Sequence, residues 1–179
     1  AGRIFADQVY QSGVSLNVND YQNLMLEPEI AVILANDIRS DEVVNLENIG
    51  TKIDRFLPAF EILNRRNVEG MAHIPTIVAH NIFNAGVVLG ADGVTADHAF
   101  EIFTDCTDNG ETVVSGAGLA PQDPIKAALF LIHHFTSRGQ NLPKGSILLL
   151  GTHCPLYPVK KGRELRLDMG ALGQVSFTT

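Results

Sequence analysis

The segment Asn23–Asn36, which reads NLMLEPEIAVILAN, predicts a long buried strand because it is rich in leucine, isoleucine and valine. Side chains two residues apart in a strand point to the same face, so Glu27 and Glu29 are expected to project side by side from it. A buried carboxylate without a partner is costly, and two of them repel each other. We therefore expect a positive group between them. From the spacing alone, the alternative that both glutamates face solvent is equally open.

A helix is predicted after this strand. Five apolar residues fall on one face at helical spacing: Leu46, Ile49, Ile53, Phe56 and Leu57. Asn45 is a suitable N-cap for this helix, and Pro58 would end it. A short strand is then expected over residues 59–63.

A third acid, Glu61, stands in that short predicted strand. Its neighbours in the sequence are apolar, and the alternative role for it is an ion pair with Arg65 or Arg66. Three carboxylates on buried strands would suit a hard cation such as Mg²⁺ or Mn²⁺. A zinc site is less well supported, because the chain contains no CxxC or HxxxH motif.

The rest of the chain predicts short strands, one hairpin and one clear helix. The strands are expected at residues 86–90, 99–104, 111–114, 146–150, 164–168 and 174–178. The Asn109–Gly110 step predicts a hairpin turn, and Pro124–Arg138 predicts a helix with Asp123 as its N-cap and Gly139 after its end. Strands and helices do not alternate regularly. The pattern therefore favours one domain over residues 1–179, mostly β with a few helices, with an α+β fold or a distorted barrel rather than a doubly wound sheet.

Composition excludes several classes of partner. The formal net charge is -7, and a chain without a basic stripe is a poor binder of nucleic acid. The longest apolar runs, such as Ile147–Leu150, are too short to span a membrane, and no signal peptide is visible. Two cysteines far apart in sequence, Cys106 and Cys154, fit a reducing compartment, so a cytoplasmic location is expected.

Motifs in a fixed order run along nearly the whole chain. Glu27–Leu34 carries an E-x-E motif, and Leu57–Arg65 carries one acid between apolar residues. Further segments are Val78–Gly90, Ser115–Gly118, Asp123–Ala128, Leu142–Thr152, Pro158–Gly162 and Leu172–Phe177. Taken in order, these segments resemble the fumarylacetoacetate hydrolase superfamily, in particular its 2-keto-4-pentenoate hydratase and 2-oxohepta-4-ene-1,7-dioate hydratase branch. The E-x-E motif alone is weak evidence, whereas the ordered set is specific.

This resemblance implies an α+β fold built as a mixed β-sheet roll or barrel with a few helices, and it also implies a chemistry. Relatives bind a 2-oxo acid through its carboxylate and keto oxygens on a divalent cation, which stabilises an enolate as it forms. By analogy Glu27, Glu29 and Glu61 are ligands of Mg²⁺ or Mn²⁺, and Thr152 binds the substrate carboxylate. The protein is then expected to be a homo-oligomeric hydratase (a lyase) that acts on a 2-oxo-alkenoate or 2-hydroxydienoate from aromatic catabolism.

Alternatives within and outside this reaction remain open. A decarboxylase or a C–C bond hydrolase of the same superfamily would use the same metal site. A non-catalytic homologue would keep the fold for binding or assembly.

Several positions depart from the pattern of the resembled family. His80 stands where relatives carry an acid, Asn64 stands where an aspartate is common, and Gln122–Asp123 replaces a frequent Gly-His pair. The hydratase branch also carries a lysine and an acid in an N-terminal segment that these 179 residues do not include. His80 and His153 are therefore the chain's own candidates for proton transfer, since imidazole titrates near neutral pH.

Overall fold

The computed structural model describes residues 1–66, 74–96, 103–117, 123–152 and 154–179. Within these ranges it contains two α-helices and two β-sheets. The strands are β1 (Val9–Gln11), β2 (Val14–Ser15), β3 (Leu24–Leu34), β4 (Ile53–Asn64), β5 (Asn84–Leu89), β6 (Phe103–Asp108), β7 (Glu111–Ala117), β8 (Ile147–Leu149), β9 (Tyr157–Pro158), β10 (Glu164–Asp168) and β11 (Gln174–Thr178). The helices are α1 (Ile74–Ala79) and α2 (Pro124–Thr136).

Both sheets are mixed. The first has the order β1-β5-β4-β3-β8, with β9 also pairing with β3, and the second has the order β2-β11-β10-β6-β7. The β1–β5 and β11–β2 pairs are parallel, and the other pairs are antiparallel. Two mixed sheets with few helices confirm the prediction of a mostly β, α+β protein.

The long pair β3–β4 separates two apolar clusters. One face packs toward the second sheet, where the rings of Phe60 and Phe177 meet edge to face with centroids 5.3 Å apart. The opposite face carries a smaller cluster that includes Leu57 and Ala59. Because side chains alternate along a strand, Glu61 lies on the same face as Leu57 and Ala59. The acids of the candidate site therefore lie on the face of the first sheet that is turned away from the second.

The predicted helix from Leu46 to Leu57 is wrong. One short 3-10 turn, Ile49–Lys52, is followed by the 12-residue strand β4. Residues Phe56 to Phe60 are all buried, because both faces of β4 are covered. A strand buried on both faces lacks the alternation of polar and apolar residues by which a strand is recognised in a sequence. Pro58 does not end an element, since its carbonyl accepts a hydrogen bond from Gly90 N (2.9 Å) beyond the end of β5.

Most other predicted elements are confirmed. The strand predicted at Asn23–Asn36 is β3, and β10 and β11 have the predicted bounds. Asn109 and Gly110 have positive φ values of 50° and 84° in the turn between β6 and β7, as a two-residue hairpin requires. Residues 99–102 of one predicted strand lie outside the described residues.

Helix α2 also follows its sequence signals. The Asp123 side chain accepts hydrogen bonds from Ile125 N (2.9 Å) and Lys126 N (3.3 Å), and Pro124 occupies the first turn. The short elements β1, β2, β9 and α1 were not predicted, because segments of two to six residues carry little periodicity. No helix in the described ranges is long and apolar enough to cross a bilayer.

Candidate active site

Three glutamates converge where β3 and β4 pair. Glu27 lies directly opposite Glu61 in the antiparallel register, and Glu29 lies two residues further along β3 on the same face. One carboxylate oxygen from each of the three lies within 4.8 Å of the others. The pairing of the two strands thus brings together the three acids for which a common site was predicted.

Burial and mutual repulsion disfavour the charged forms of these acids. Burial, together with the repulsion and hydrogen bonding of the neighbouring Glu61, raises the pKa of Glu27 to about 7. Glu29 is 3% exposed, and burial followed by repulsion from Glu61 raises its pKa well above the usual value. No ion pair joins any of the three glutamates to a lysine or arginine among the described residues. When its acids are ionised, the cluster therefore carries negative charge that no described lysine or arginine balances.

Two hydrogen bonds orient the carboxylates. The backbone N–H of Gly151 donates to Oε2 of Glu29 (2.8 Å), and Nδ2 of Asn84 donates to Oε1 of Glu61 (2.7 Å). The bond from Gly151 favours the ionised form of Glu29 and lowers its pKa against the effect of burial. Hydrogen bonds between carboxyl groups also join Glu61 to Glu27 and to Glu29, and they raise the pKa of both partners of Glu61.

A β-bulge brings Asn84 to Glu61. The β4–β5 register shifts between Ile62 and Leu63, so that Gly86 faces Ile62 and Asn84 faces Leu63. The extra residue is Ala85, and it turns Asn84 onto the face of the sheet that carries Glu61. At the bulge, Gly86 has φ +148°, and a Cβ there would lie 2.7 Å from the carbonyl oxygen of Gln8. Glycine is required at this position by both its backbone conformation and the close approach of the chain.

The cluster lies between two cavities. Glu29, Glu61 and Asn84 line a cavity of about 670 Å³, and Glu27 and Glu61 line a second cavity of about 280 Å³. The larger volume is in the range of small-molecule binding sites. A group held by the three acids would therefore be reached from the larger cavity at Glu29 and Glu61.

A left-handed turn forms part of the wall of both cavities. Asn81, Ile82 and Phe83 have φ values of 55°, 58° and 61°, which is unusual for residues other than glycine and rarest for β-branched ones. Such conformations cost about 1–3 kcal/mol each and are concentrated at functional sites. Ile82 lines both cavities, so the turn fixes one apolar side chain at the junction between them.

Of the predicted proton-transfer residues, the structure describes His80, which is not among the described residues that line the two cavities. His80 ends α1, its ring meets Phe83 edge to face at 5.7 Å, and its Nδ1 is buried without a hydrogen-bond partner among the described residues. His153 lies outside the described residues. The catalytic roles of both histidines stay predictions.

The predicted substrate ligand Thr152 follows Gly151, which lines the larger cavity. Its hydroxyl accepts a hydrogen bond from Cys154 N (3.1 Å) and donates to the Cys154 carbonyl (3.4 Å). A substrate carboxylate would have to compete with this local turn. The contact of Thr152 with substrate stays a prediction.

Two residues of the site were not predicted from the sequence. Asn84 was missed because only the bulge places it beside Glu61, although a polar side chain at the start of an apolar strand is a usable signal. Arg3 lines the larger cavity, and an isolated arginine carries no sequence signal of such a role.

Asn64, which stands where an aspartate is common in the family, has a structural contact outside the acid cluster. Its side-chain oxygen accepts hydrogen bonds from Gln22 N and Asn23 N and so supports the start of β3.

The cluster fits a hard divalent cation. All of its donor atoms are carboxylate oxygens, which are the ligands that Mg²⁺, Mn²⁺ and Ca²⁺ prefer. Zinc sites more often use cysteine or histidine ligands. A bound dication would balance the uncompensated charge and favour the ionised form of each acid. Three protein ligands also leave positions for oxygens of a substrate or water in an octahedral shell.

Comparison with known proteins gives relatives with catabolic activities. The chain is 25% identical over 179 residues to a 4-oxalocrotonate decarboxylase of Pseudomonas sp., covering 99% of this chain and 69% of the relative. It is 24% identical over 177 residues to a 2-keto-4-pentenoate hydratase of Paraburkholderia xenovorans, covering 97% of this chain and 65% of the relative. The chain therefore spans about two thirds of the length of these relatives.

A solved structure has the same fold. The 4-oxalocrotonate decarboxylase of Pseudomonas putida G7, complexed with magnesium and adipate, matches with a TM-score of 0.87 at 20% identity. The match covers 99% of this chain and 68% of that one. The family model described as the C-terminal part of fumarylacetoacetate (FAA) hydrolase matches residues 6–178, nearly the whole chain. This protein belongs to the fumarylacetoacetate hydrolase family.

Proposed function

We propose that this protein is a divalent-metal-dependent lyase that hydrates a 2-oxo-alkenoate or 2-hydroxydienoate. The observation that carries the proposal is the convergence of Glu27, Glu29 and Glu61 beside a cavity of about 670 Å³. Membership of the family supports it, as do relatives that are named as hydratases.

The three glutamates would hold the cation, and Mg²⁺ or Mn²⁺ is the proposed ion. When bound, such an ion acts as a Lewis acid toward a 2-oxo acid and stabilises an enolate. The magnesium in the solved decarboxylase supports a cation of this class. In this chain Gly151 and Asn84 hold the carboxylates of Glu29 and Glu61 in fixed orientations, which reduces the reorganisation that binding requires.

The cavity residues would bind the remainder of the substrate. Apolar side chains such as Ile82 and Leu149 would contact its hydrocarbon part and exclude water from it. The adjacent Thr152 is the proposed contact for the substrate carboxylate, and His80 and His153 are the proposed groups for proton transfer. A positioned acid or base contributes about 10²–10⁴-fold to rate.

Decarboxylation of a 2-oxo acid is the second candidate function. It uses the same enolate stabilisation, and the similarity of the chain to a relative named as a 4-oxalocrotonate decarboxylase supports it. The two reactions differ in their products, since hydration consumes a C=C bond and decarboxylation releases CO₂.

The experiment is a parallel assay of the purified protein with Mg²⁺ or Mn²⁺. Loss of the ultraviolet absorbance of a 2-hydroxydienoate would report hydration, and CO₂ release from 4-oxalocrotonate would report decarboxylation. We expect metal-dependent hydration that Glu29→Gln abolishes and Glu111→Gln retains. CO₂ release without hydration would favour the second candidate, and turnover that chelation leaves unchanged would contradict both.

A further inference from the structure

The larger cavity contains charged groups of both signs. Glu29 and Glu61 line one part of it, and Arg3 is the only lysine or arginine among its described lining residues. A site that used the carboxylate cluster alone would not require an arginine in its wall. Arg3 also plays no part in the function proposed above.

The guanidinium of Arg3 is held in place. Its Cζ lies 5.6 Å from the ring centroid of Phe135, within the range of a cation-π contact, and its Nη2 donates to Oε1 of Gln140 (2.8 Å). Phe135 and Gln140 also line the cavity, so the guanidinium lies at the cavity wall. Arg3 is exposed to solvent, and these two contacts favour this position of its guanidinium before a ligand binds, which lowers the entropic cost of recognition.

The backbone of Arg3 is fixed as well. Its N–H donates to Oδ1 of Asn81 (2.7 Å), and its carbonyl accepts from Nδ2 of the same asparagine (2.7 Å). Asn81 is the first residue of the left-handed turn that lines both cavities at Ile82. The turn therefore positions the arginine relative to the cavity.

The guanidinium has donors left for a ligand. An arginine offers five N–H donors in a planar fork, and Gln140 is the side-chain acceptor found for Arg3 among the described residues. No carboxylate in the described ranges lies within 4.0 Å of the Arg3 guanidinium, so none of them forms an ion pair with it. Arginine forks bind carboxylates in pairs of parallel hydrogen bonds.

The wall of this cavity is largely apolar. Its apolar residues include Ile4, Val9, Leu148 and Leu149. Such a wall suits the hydrocarbon chain of an acid. The cavity therefore matches a molecule with an anionic group at each end and carbon atoms between them.

We infer that Arg3 binds a second carboxylate, at the end of the substrate away from the cation, so that this site selects dicarboxylic 2-oxo acids over monocarboxylic ones. The inference rests on the proposed function, which supplies the cation and the 2-oxo acid end. Arg3 is a specificity residue in this assignment, and it takes no part in bond making or breaking.

The test compares the binding of two unreactive acids with six carbons each, 2-oxoadipate and 2-oxohexanoate, by calorimetry in the presence of Mg²⁺. The wild-type protein is expected to bind 2-oxoadipate roughly 10- to 100-fold more tightly, as for a charge-assisted pair. Arg3→Gln should remove this preference by weakening 2-oxoadipate alone. Arg3→Lys, which keeps the charge without the fork, should restore part of it.

Two controls separate recognition from general effects. Arg39→Gln makes the same change in charge at an exposed surface position and should leave the preference intact. The unchanged affinity for 2-oxohexanoate shows that Arg3→Gln is folded and that its cation site is intact.

The outcomes are distinguishable from a failure of the proposed function. Equal binding of the two acids by the wild type, or equal weakening of both in Arg3→Gln, would overturn the inference and leave the proposed function standing. Absence of Mg²⁺-dependent binding of either acid would overturn both.

Discussion

Replacing Glu29 with glutamine is expected to change stability in opposite directions with and without metal. A carboxyl whose pKa is raised by folding holds its proton more tightly in the folded state than in the unfolded one. For Glu27, with a pKa raised from 4.5 to about 7, this stabilisation is complete below pH 4.5 and is lost as the pH rises through 7. Glu29 shifts in the same direction. The metal-free protein at pH 8 therefore carries a cost for burying these acids.

The size of the effect follows from the same groups. The difference between 7 and 4.5 corresponds to about 3 kcal/mol for a shielded group, and solvent screening of the half-buried Glu27 reduces it to about 1–2 kcal/mol. Glu29 is more deeply buried, so glutamine there should stabilise the metal-free protein by at least about 1 kcal/mol, or about 2–4 °C in melting temperature. Metal at 100 times its Kd should stabilise the wild type by about 2.7 kcal/mol. The variant should lose most of that response.

The assay is thermal unfolding at pH 8 by circular dichroism, in chelator and in Mn²⁺. Glu111→Gln, on the exposed start of β7, is the matched control and should follow the wild type in both conditions. A Glu29→Gln protein that is less stable in chelator and still fully stabilised by Mn²⁺ would refute this reasoning.

Three further predictions concern the same chain. Mn²⁺ affinity should fall as the pH falls below about 7, because Glu27 and Glu29 must lose protons to bind the ion. Calorimetry in two buffers of different ionisation enthalpy should detect this proton release. A binding enthalpy that does not depend on the buffer would contradict the prediction. Asn84→Leu should weaken Mn²⁺ binding about 10- to 100-fold, because it removes the hydrogen bond that orients the Glu61 carboxylate. The same change at the exposed Asn19 should leave the affinity for Mn²⁺ unchanged. Equal Mn²⁺ affinities of Asn84→Leu and the wild type would exclude an orienting role for Asn84. Large apolar side chains such as Val43 (76% exposed) and Phe130 (66% exposed) should be covered when the protein self-associates. Sedimentation velocity at micromolar concentration should therefore detect an oligomer. A monomer under these conditions would contradict the prediction.

Local sequence signals were sufficient to predict an element whose own residues mark its beginning, its periodicity and its end. Helix α2 has an aspartate cap, a proline in its first turn and a following glycine, and the hairpin has its Asn109–Gly110 step. Strand β4 was missed because its apolar run is buried on both faces and imitates helical spacing, and because Pro58 was interpreted as a stop. The covering of both faces is a tertiary property that no local window contains.

The site was predictable only in part for the same reason. Alternation along one strand placed Glu27 and Glu29 together, but the meeting with Glu61 depends on the β3–β4 register and was expected from the family resemblance. The contact of Asn84 depends on one bulged residue, Ala85, and the position of Arg3 depends on a left-handed turn at residues 81–83. These features are set by packing between segments distant in sequence.

The central claim is that Glu27, Glu29 and Glu61 together bind one divalent cation, and anomalous diffraction from crystals grown with Mn²⁺ tests it most directly. One anomalous peak is expected between the three carboxylates, with Mn–O distances of about 2.0–2.4 Å as for hard cations with oxygen ligands. The peak should be absent from crystals of Glu29→Gln grown under the same conditions. A peak at another position in the wild-type protein, or full occupancy of this one in the variant, would contradict the claim.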